Sequence, residues 1–585
     1  MDLPGSETGV AVLRLFKLNL APPWLRFRTT TATVPTAGEV SSGFTNLADI
    51  LNGQAGAKPL VDLLDRTIPL GTVLDPATTR LVTAGQVDPV SGLVATQTGY
   101  VRDPFGTCAP STTTFQQSAC NLNQIPANRL DPTGLKILSL FPAATNSNYA
   151  SNYVTSPDLY EHRNAFDVRG DYDASKNDQV FVRFSYVDDP QYIPGVFGGI
   201  ADGGAFQQGI QTAHSNQSVV GYTHVFTPTT VNVLHAGFNH LHTTRYGPEG
   251  GTSGIPAQYG IQGIPQFAEN GGLPEITFGG LATLGTNAYL PSDETSQTLQ
   301  ITDDFTKVYK SHSFKLGIES QLVKNDVLQP PYSHGDFDYN GTYTDVPAQN
   351  SSTTGLAQFL ITPQAATVPN GFDYSGGADS VNASNASKTD DYRTYLAGYI
   401  QDDWKATPKL TINLGVRYDY FSPIRETNGG QANFVPSGAP NGTPTYLIPA
   451  SGKEDAPLQS TYPAFYNLLV KDGITPDQTD KYGQGLVQTQ KTNVAPRIGV
   501  SYQAMPKLVL RAGFGYFYNS FENQGYGPNI GENYPFQFQF NYTGQTAGTN
   551  PGEQGVSPVS YNTAYAGCST AGPGAPRPSP PVSPA

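Results

Sequence analysis

Between Lys409 and Pro423 apolar and polar residues alternate without a break. Leu410, Ile412, Leu414, Val416, Tyr418 and Tyr420 take the even positions, and Thr411, Asn413, Gly415, Arg417 and Asp419 the odd ones. A period of two puts the first set on one face of a strand and the second on the other. The pattern recurs along the chain. Phe166, Val168, Gly170 and Tyr172 alternate with Asp167, Arg169 and Asp171 up to the turn ASKND, after which Val180, Val182, Phe184 and Tyr186 oppose Arg183 and Ser185. SVVGYTHVF and VNVLHAGFNH flank the turn TPTT as a second hairpin, and LQITDDF and SFKLGIESQL form a third around YKSH. In the third, Phe314, Leu316, Ile318 and Leu322 oppose Lys315, Gly317, Glu319 and Gln321. YLAGYIQDDWKATPKLTINLGVRYDY and NVAPRIGVSYQAMPKLVLRAGFGYFY supply two more hairpins. With weaker strands near HGDFDYNGTYT and YPFQFQFNY, about twelve strands are predicted, arriving in pairs as membrane barrels require.

The connections sharpen this picture. Turns within hairpins are short and rich in Pro, Lys, Asn or Ser, whereas roughly 188–217, 244–295, 324–390 and 422–490 are long and rich in Gly, Asn, Pro, Gln and Tyr. Short turns at one rim and long loops at the other predict an all-β fold. Its form is an antiparallel transmembrane β-barrel, incomplete in this chain, with short periplasmic turns and long extracellular loops. Aromatic residues fit two membrane interfaces: Tyr172, Phe226, Phe305, Trp404 and Tyr502 beside the short turns, and Tyr186, Tyr418, Tyr420, Tyr516 and Tyr518 at the far strand ends. The apolar faces are then expected to meet lipid. Arg169, Arg183, Lys315, Glu319, Asn413, Arg417, Asp419, Arg497 and Arg511 are expected to face a hydrated lumen. Residues 1–33 stay unassigned, 34–162 read as a long extracellular loop region near the barrel start, 163–545 as strands with long loops, and 546–585 as a disordered Pro/Gly-rich tail.

Composition narrows the classes. Charged residues are 14%, below the roughly 25% usual for soluble domains. A net charge of −14 with scattered Lys and Arg argues against a nucleic-acid partner. No run of about 18 apolar residues offers a membrane-spanning helix, so a membrane role must use strands. The opening MDLPGSETGVAVLRLFKLNL lacks the pattern of a secretory signal. Cys108 and Cys120 lack metal-ligand spacing and could close a loop of about a dozen residues, worth roughly 3 kcal/mol in an oxidising compartment; paired and free states both stay open.

Several stretches go further than pattern. YIQDDWKATPKLTINLGVRYDYFSP resembles a hairpin of TonB-dependent outer-membrane receptors, in particular the Oar-like group. VAPRIGVSYQAMPKLVLRAGFGYFYN and DDFTKVYKSHSFKLGIE resemble its neighbours, while TVPTAGEVSSGF and NQIPANRLDPTGLKILSLFPAATN are similar to a long loop near the barrel start. The resemblance covers roughly Thr33 to Asn541. It implies a receptor in the outer membrane of a Gram-negative type bacterium, with a plug, a TonB box and final strands that are not recognisable here. The sequence is therefore read as part of a longer gene product. In such receptors extracellular loops capture a scarce small-molecule or oligosaccharide nutrient, and an inner-membrane TonB energy-coupling complex drives its passage. The partners so implied are outer-membrane lipid, that complex and the ligand. Alternatives are a barrel for adhesion or surface organisation without transport, and a secreted soluble all-β binding protein.

GxSxG, HExxH and a phosphate loop are missing, and no enzyme activity or cofactor is expected. DYDASKNDQV imitates the start of a calcium loop but has Lys176 where Gly is needed and Val182 where the bidentate Glu belongs. His240 and His242 share a strand face near Tyr246, yet lack a third ligand close in sequence. Solvated histidines at a rim are the expected reading.

Overall fold

The computed structural model describes residues 10–20, 24–27, 29–203, 208–261, 264–265, 267–349, 351–361, 377–386, 388–436, 442–450, 457–519 and 533–543. The alternating segments pair into one 14-stranded sheet, whose continuous path holds the strands β1 (Val10–Leu20), β2 (Asn164–Asp173), β3 (Asp178–Ile193), β4 (Gly209–Thr227), β5 (Thr230–Tyr246), β6 (Ser292–Tyr309), β7 (His312–Leu328), β8 (Lys388–Thr407), β9 (Leu410–Phe421), β10 (Val494–Met505) and β11 (Leu508–Gly515). Every neighbour on the path is antiparallel. Three short strands, Trp24–Phe27, Asp158–Glu161 and Arg425–Glu426, add to its upper part. Among the described residues β1 and β11 are the two edges of the path. No helix among them is long and apolar enough to cross a membrane, which leaves a strand-built span untouched.

Tight turns follow β2, β4, β6, β8 and β10, all at one rim; the turn after β6 puts Lys310 at φ 54°. Long connections leave the opposite rim after β1, β3, β5, β7 and β9. The strands run further toward that rim than side-chain alternation indicated. β4 has 19 residues, β6 18 and β8 20, against roughly 9–11 needed to cross a bilayer at a tilt. A ladder needs only backbone N–H and C=O groups, so it continues where the apolar pattern stops. One expectation changes as a result. Tyr186 was placed at a far strand end, but β3 continues through DDPQYI to Ile193, paired with Gly209–Ala213 and His214.

A second correction concerns the weaker strands. Asp336–Tyr339 and Gln539–Thr543 do not enter the large sheet. They join Glu275–Phe278 and Ser380–Ser384 in a separate four-stranded sheet, in which Glu275–Phe278 and Asp336–Tyr339 are parallel. Four or five residues cannot span a bilayer, and Ile276, Phe278, Phe337 and Tyr339 instead turn their alternation into a protein core.

That core belongs to a cap made by several long connections at once. Described residues within segments 34–162, 194–208, 247–291 and 329–386 contribute to a single apolar cluster, including Ile50, Phe105, Ile137, Ile261, Phe337 and Phe359. Residues 34–162, read above as a long loop region near the barrel start, hold buried groups of their own. Arg66 is fully buried between Asp62 and Asp103, each at 2.7 Å, and Cys108 is disulfide-bonded to Cys120. The buried Arg102 guanidinium ties this region to a later loop, donating to the carbonyls of Thr342 (2.7 Å) and Asp345 (3.0 Å). The described residues within 422–493 form a smaller lobe with a separate core of Tyr446, Ile448 and Leu458 packed with Leu469 of the helix Pro463–Lys471.

Candidate functional site

The large sheet has two chemically opposite faces. Register places Phe305, Leu316, Ile400, Val416 and Pro496 side by side across β6 to β10. This face is open and apolar: Val182, Ile318, Ile400, Leu414, Ile498 and Phe514 are all exposed, Ile318 to 64%. A monomer in water rarely presents so continuous an apolar surface. Tyr172, Tyr186, Trp404, Tyr418, Tyr420 and Tyr502 lie on it by register, and Tyr516 and Tyr518 follow β11 directly. At the tight-turn rim His312 stacks on Trp404 with centroids 5.5 Å apart.

Arg169, Arg183, Lys315, Glu319, Asn413, Arg417, Asp419, Arg497 and Arg511 all fall on the other face. Arg417 is the hub there. Its Nη2 lies 2.8 Å from Glu319 Oε2, and its Nε 2.9 Å from Asp419 Oδ1. Tyr395 OH donates to Asp419 at 2.7 Å, and Gln300 and Gln321 each donate to Glu319 Oε1 at 2.8 Å. Lys315 pairs with Asp403 at 2.8 Å, and Asn413 donates to the same carboxylate. Arg183 pairs with Asp167, while Arg169 holds Asp171 at 2.6 Å and covers the Phe181 ring at 4.0 Å. Arg497 lies over the Phe517 ring at 4.8 Å, and Arg511 stands opposite Ser501. Charges of both signs, paired but half-exposed, make a wettable wall of low net charge. Lipid could not solvate it.

The cap adds a polar face of its own. On the small sheet Glu275, Asp336 and Asp338 project away from the core side chains, with Ser380 donating to Asp338 (2.7 Å) and Asn382 to Asp336 (3.1 Å). Burial, reinforced by Asp336 and Asp338, pushes the Glu275 carboxyl up to about 7. Burial also raises Asp336 to about 6, with Asp338 adding to it, and Asp202 to about 7, with Glu275 and Glu249 adding to it. Close by, Tyr289 and Tyr332 pair through their hydroxyls at 3.1 Å, and Tyr289 remains 45% exposed. An aromatic pair beside carboxyls and amides can stack on a ligand and hydrogen-bond its rim. None of these residues was singled out from sequence, because EITF, DFDY and SVNAS lie far apart in the chain and carry no shared local signal.

The tempting histidines resolve differently. His240 and His242 share the apolar face, and His242 Nε2 lies 2.8 Å from Asp293 Oδ1, to whose other oxygen Tyr246 OH donates at 3.1 Å. Among the described residues no group of three or more His, Cys, Asp or Glu could hold a metal ion. In the calcium-like segment Asp171 is engaged by Arg169, and Ser175 by Asp178.

The family described as Outer membrane beta barrel domain matches residues 24–583. The TonB-dependent transporter Oar of Myxococcus xanthus is 27% identical over 109 residues, which is 19% of this chain and 9% of that protein. Similar solved structures include the ferric citrate transporter FecA in its unliganded form, 10% identical with a TM-score of 0.28, covering 62% of this chain and 38% of that one. The closed form of the ferric-catecholate import receptor Fiu from Escherichia coli K12 is 11% identical with a TM-score of 0.29, covering 61% and 51%. The chain therefore spans about a tenth of the curated relative in that match and about half or less of these receptors. With the family matched over nearly the whole chain and a sheet that is apolar on one face and ion-paired on the other, this protein belongs to the outer membrane beta barrel domain family and is a protein of the outer membrane.

Proposed function

We propose that the whole protein captures an extracellular solute at the long-loop rim and takes it up with energy relayed from an inner-membrane TonB complex. The two-faced sheet carries this reading. An apolar face suits the bilayer, and the Arg417–Glu319–Asp419 wall suits a hydrated interior through which a polar solute can move. The named lumen residues line that interior, and the aromatic residues seat the barrel at its two interfaces. The cap, with Tyr289, Tyr332, Glu275 and Asp336, is the first surface an arriving solute meets. Its chemistry fits a small chelate or an oligosaccharide, which stacks on tyrosine and accepts or donates hydrogen bonds to carboxyls and amides. No chemical conversion is assigned to the chain.

The test uses the natural full-length gene in its host. Labelled ferric chelates and oligosaccharides are offered to intact cells with and without a protonophore. Surface binding of one class is expected to require the gene and to survive collapse of the proton gradient, while its uptake is lost. Uptake that persists without the gradient would refute energy coupling. Absence of gene-dependent binding across both classes would refute solute capture.

A further inference from the structure

The cap and the 422–493 lobe have separate apolar cores, yet one short segment, residues 533–543, packs on the lobe core at one end and pairs with a cap strand at the other. Its first part belongs to the lobe. Asn533 Nδ2 donates to the Ala432 carbonyl at 2.7 Å, Tyr446 OH donates to the Tyr534 carbonyl, and the Tyr534 ring lies 4.3 Å from that of Phe465. Phe536 packs on the lobe core. Its last part belongs to the cap, where Gln539–Thr543 forms the outer strand of the four-stranded sheet, with Ser384 opposite Gln539, Asn382 opposite Asn541 and Ser380 opposite Thr543. Between the two, Asn385 grips the segment from both sides. Its Nδ2 donates to the Phe536 carbonyl at 2.7 Å, and its Oδ1 accepts from the Phe538 N–H at 3.0 Å.

We propose that residues 533–543 are a strap fastening the lobe to the cap, and that the extracellular mouth opens when the strap's strand leaves the Ser380–Ser384 edge. The two attachments are unequal. The lobe end is held by half-buried aromatic rings packed on the lobe core, whereas the cap end is a five-residue strand that, among the described residues, lies at the outer edge of its sheet. Strands at a sheet edge are among the segments that open locally while the rest of a protein stays folded. Release at the cap end leaves the strap attached to the lobe and frees the two bodies to separate. Asn385 then acts as a positioning residue that sets how often this happens. The inference concerns motion of the mouth and goes beyond the transport reading, because it holds whatever the solute is.

Hydrogen exchange on the full chain in lipid nanodiscs tests it. Asn385→Ala removes two side-chain hydrogen bonds, each worth roughly fivefold in an opening equilibrium. Exchange should rise about five- to thirtyfold at Gln539–Thr543 and, because its edge is bared, at Ser380–Ser384, while Thr445–Ile448 in the lobe is unchanged. Faster exchange at Gln539–Thr543 alone, or no change at either strand, overturns the strap. A second variant guards against misfolding of the first: Asn382→Cys combined with Asn541→Cys joins directly opposed positions. Oxidation should cross-link the pair and slow exchange at Ser380–Ser384, and reductant should reverse it. Failure to cross-link, or cross-linking without slower exchange, also overturns it.

Discussion

Ile400 and Gln401 are neighbours in β8 whose side chains point to opposite faces, so the same charge placed at each probes the solvent on each side. Ile400 is 48% exposed and sits between Leu316 and Val416 in an apolar row. Covering the open half of its side chain with lipid is worth about 1 kcal/mol, half of the usual gain for burying an aliphatic residue. An arginine near the bilayer midplane of a barrel costs roughly 2–4 kcal/mol. Ile400→Arg is therefore expected to destabilise the folded, lipid-embedded protein by roughly 4 kcal/mol, on the order of a thousandfold in equilibrium constant. Gln401→Arg faces the polar wall, between Lys315 and Gly415 and 2.8 Å from Asp403 through the native amide. There the new cation exchanges one hydrogen-bonded partner of Asp403 for another, and the change should stay within about 1 kcal/mol. Urea unfolding from lipid vesicles, followed by the fluorescence of Trp404 and the only other tryptophan, Trp24, measures both. If the two variants differ by less than about 1 kcal/mol, the exposed apolar face is not in lipid and the membrane assignment of the faces is wrong. In a soluble sheet both are surface changes within about 0.5 kcal/mol.

Two further outcomes follow from the wall and the cap. Arg417→Ala leaves Glu319 and Asp419 without their shared cation and should cost roughly 1–3 kcal/mol, read by the same unfolding assay; Glu319→Gln in that background should recover part of the loss. The cap should be more stable at pH 5 than at pH 8. Glu39, Asp202 and Glu275 are all raised to about 7 by burial, so the folded cap holds more protons than the unfolded chain between the ordinary carboxyl range and about 7. Stability is then full below that ordinary range and falls as pH rises through about 7. Hydrogen exchange at Glu275–Phe278 and Asp336–Tyr339 across this window measures it, and Glu275→Gln should flatten the profile. A cap that becomes more protected as pH rises would contradict the sign.

Hairpin pairing and the two faces of the large sheet are legible in the sequence because both are local. Val180 to Tyr186 or Leu410 to Tyr420 states its own alternation, and a turn such as TPTT joins strands that must then be neighbours. The resemblance of YIQDDWKATPKLTINLGVRYDYFSP carries the family for the same reason, since a hairpin is contiguous. Strand length is less legible: β3 beyond Val187 keeps its ladder after its alternation has lapsed. The partners of Asp336–Tyr339 and Gln539–Thr543 are not legible at all, because they come from segments about forty to about one hundred and sixty residues away in sequence.

By itself, then, the sequence determined that this protein has strands with one apolar and one polar face, short turns at one rim and long connections at the other. Side-chain alternation records which solvent each face meets, and that record is written residue by residue. Only the tertiary structure decided that the long connections fuse into a cap with one core, that Arg417 reaches Glu319 on another strand, and that residues 533–543 bridge cap and lobe. Those choices depend on which distant surfaces bury each other, and burial between distant segments leaves no period in the chain.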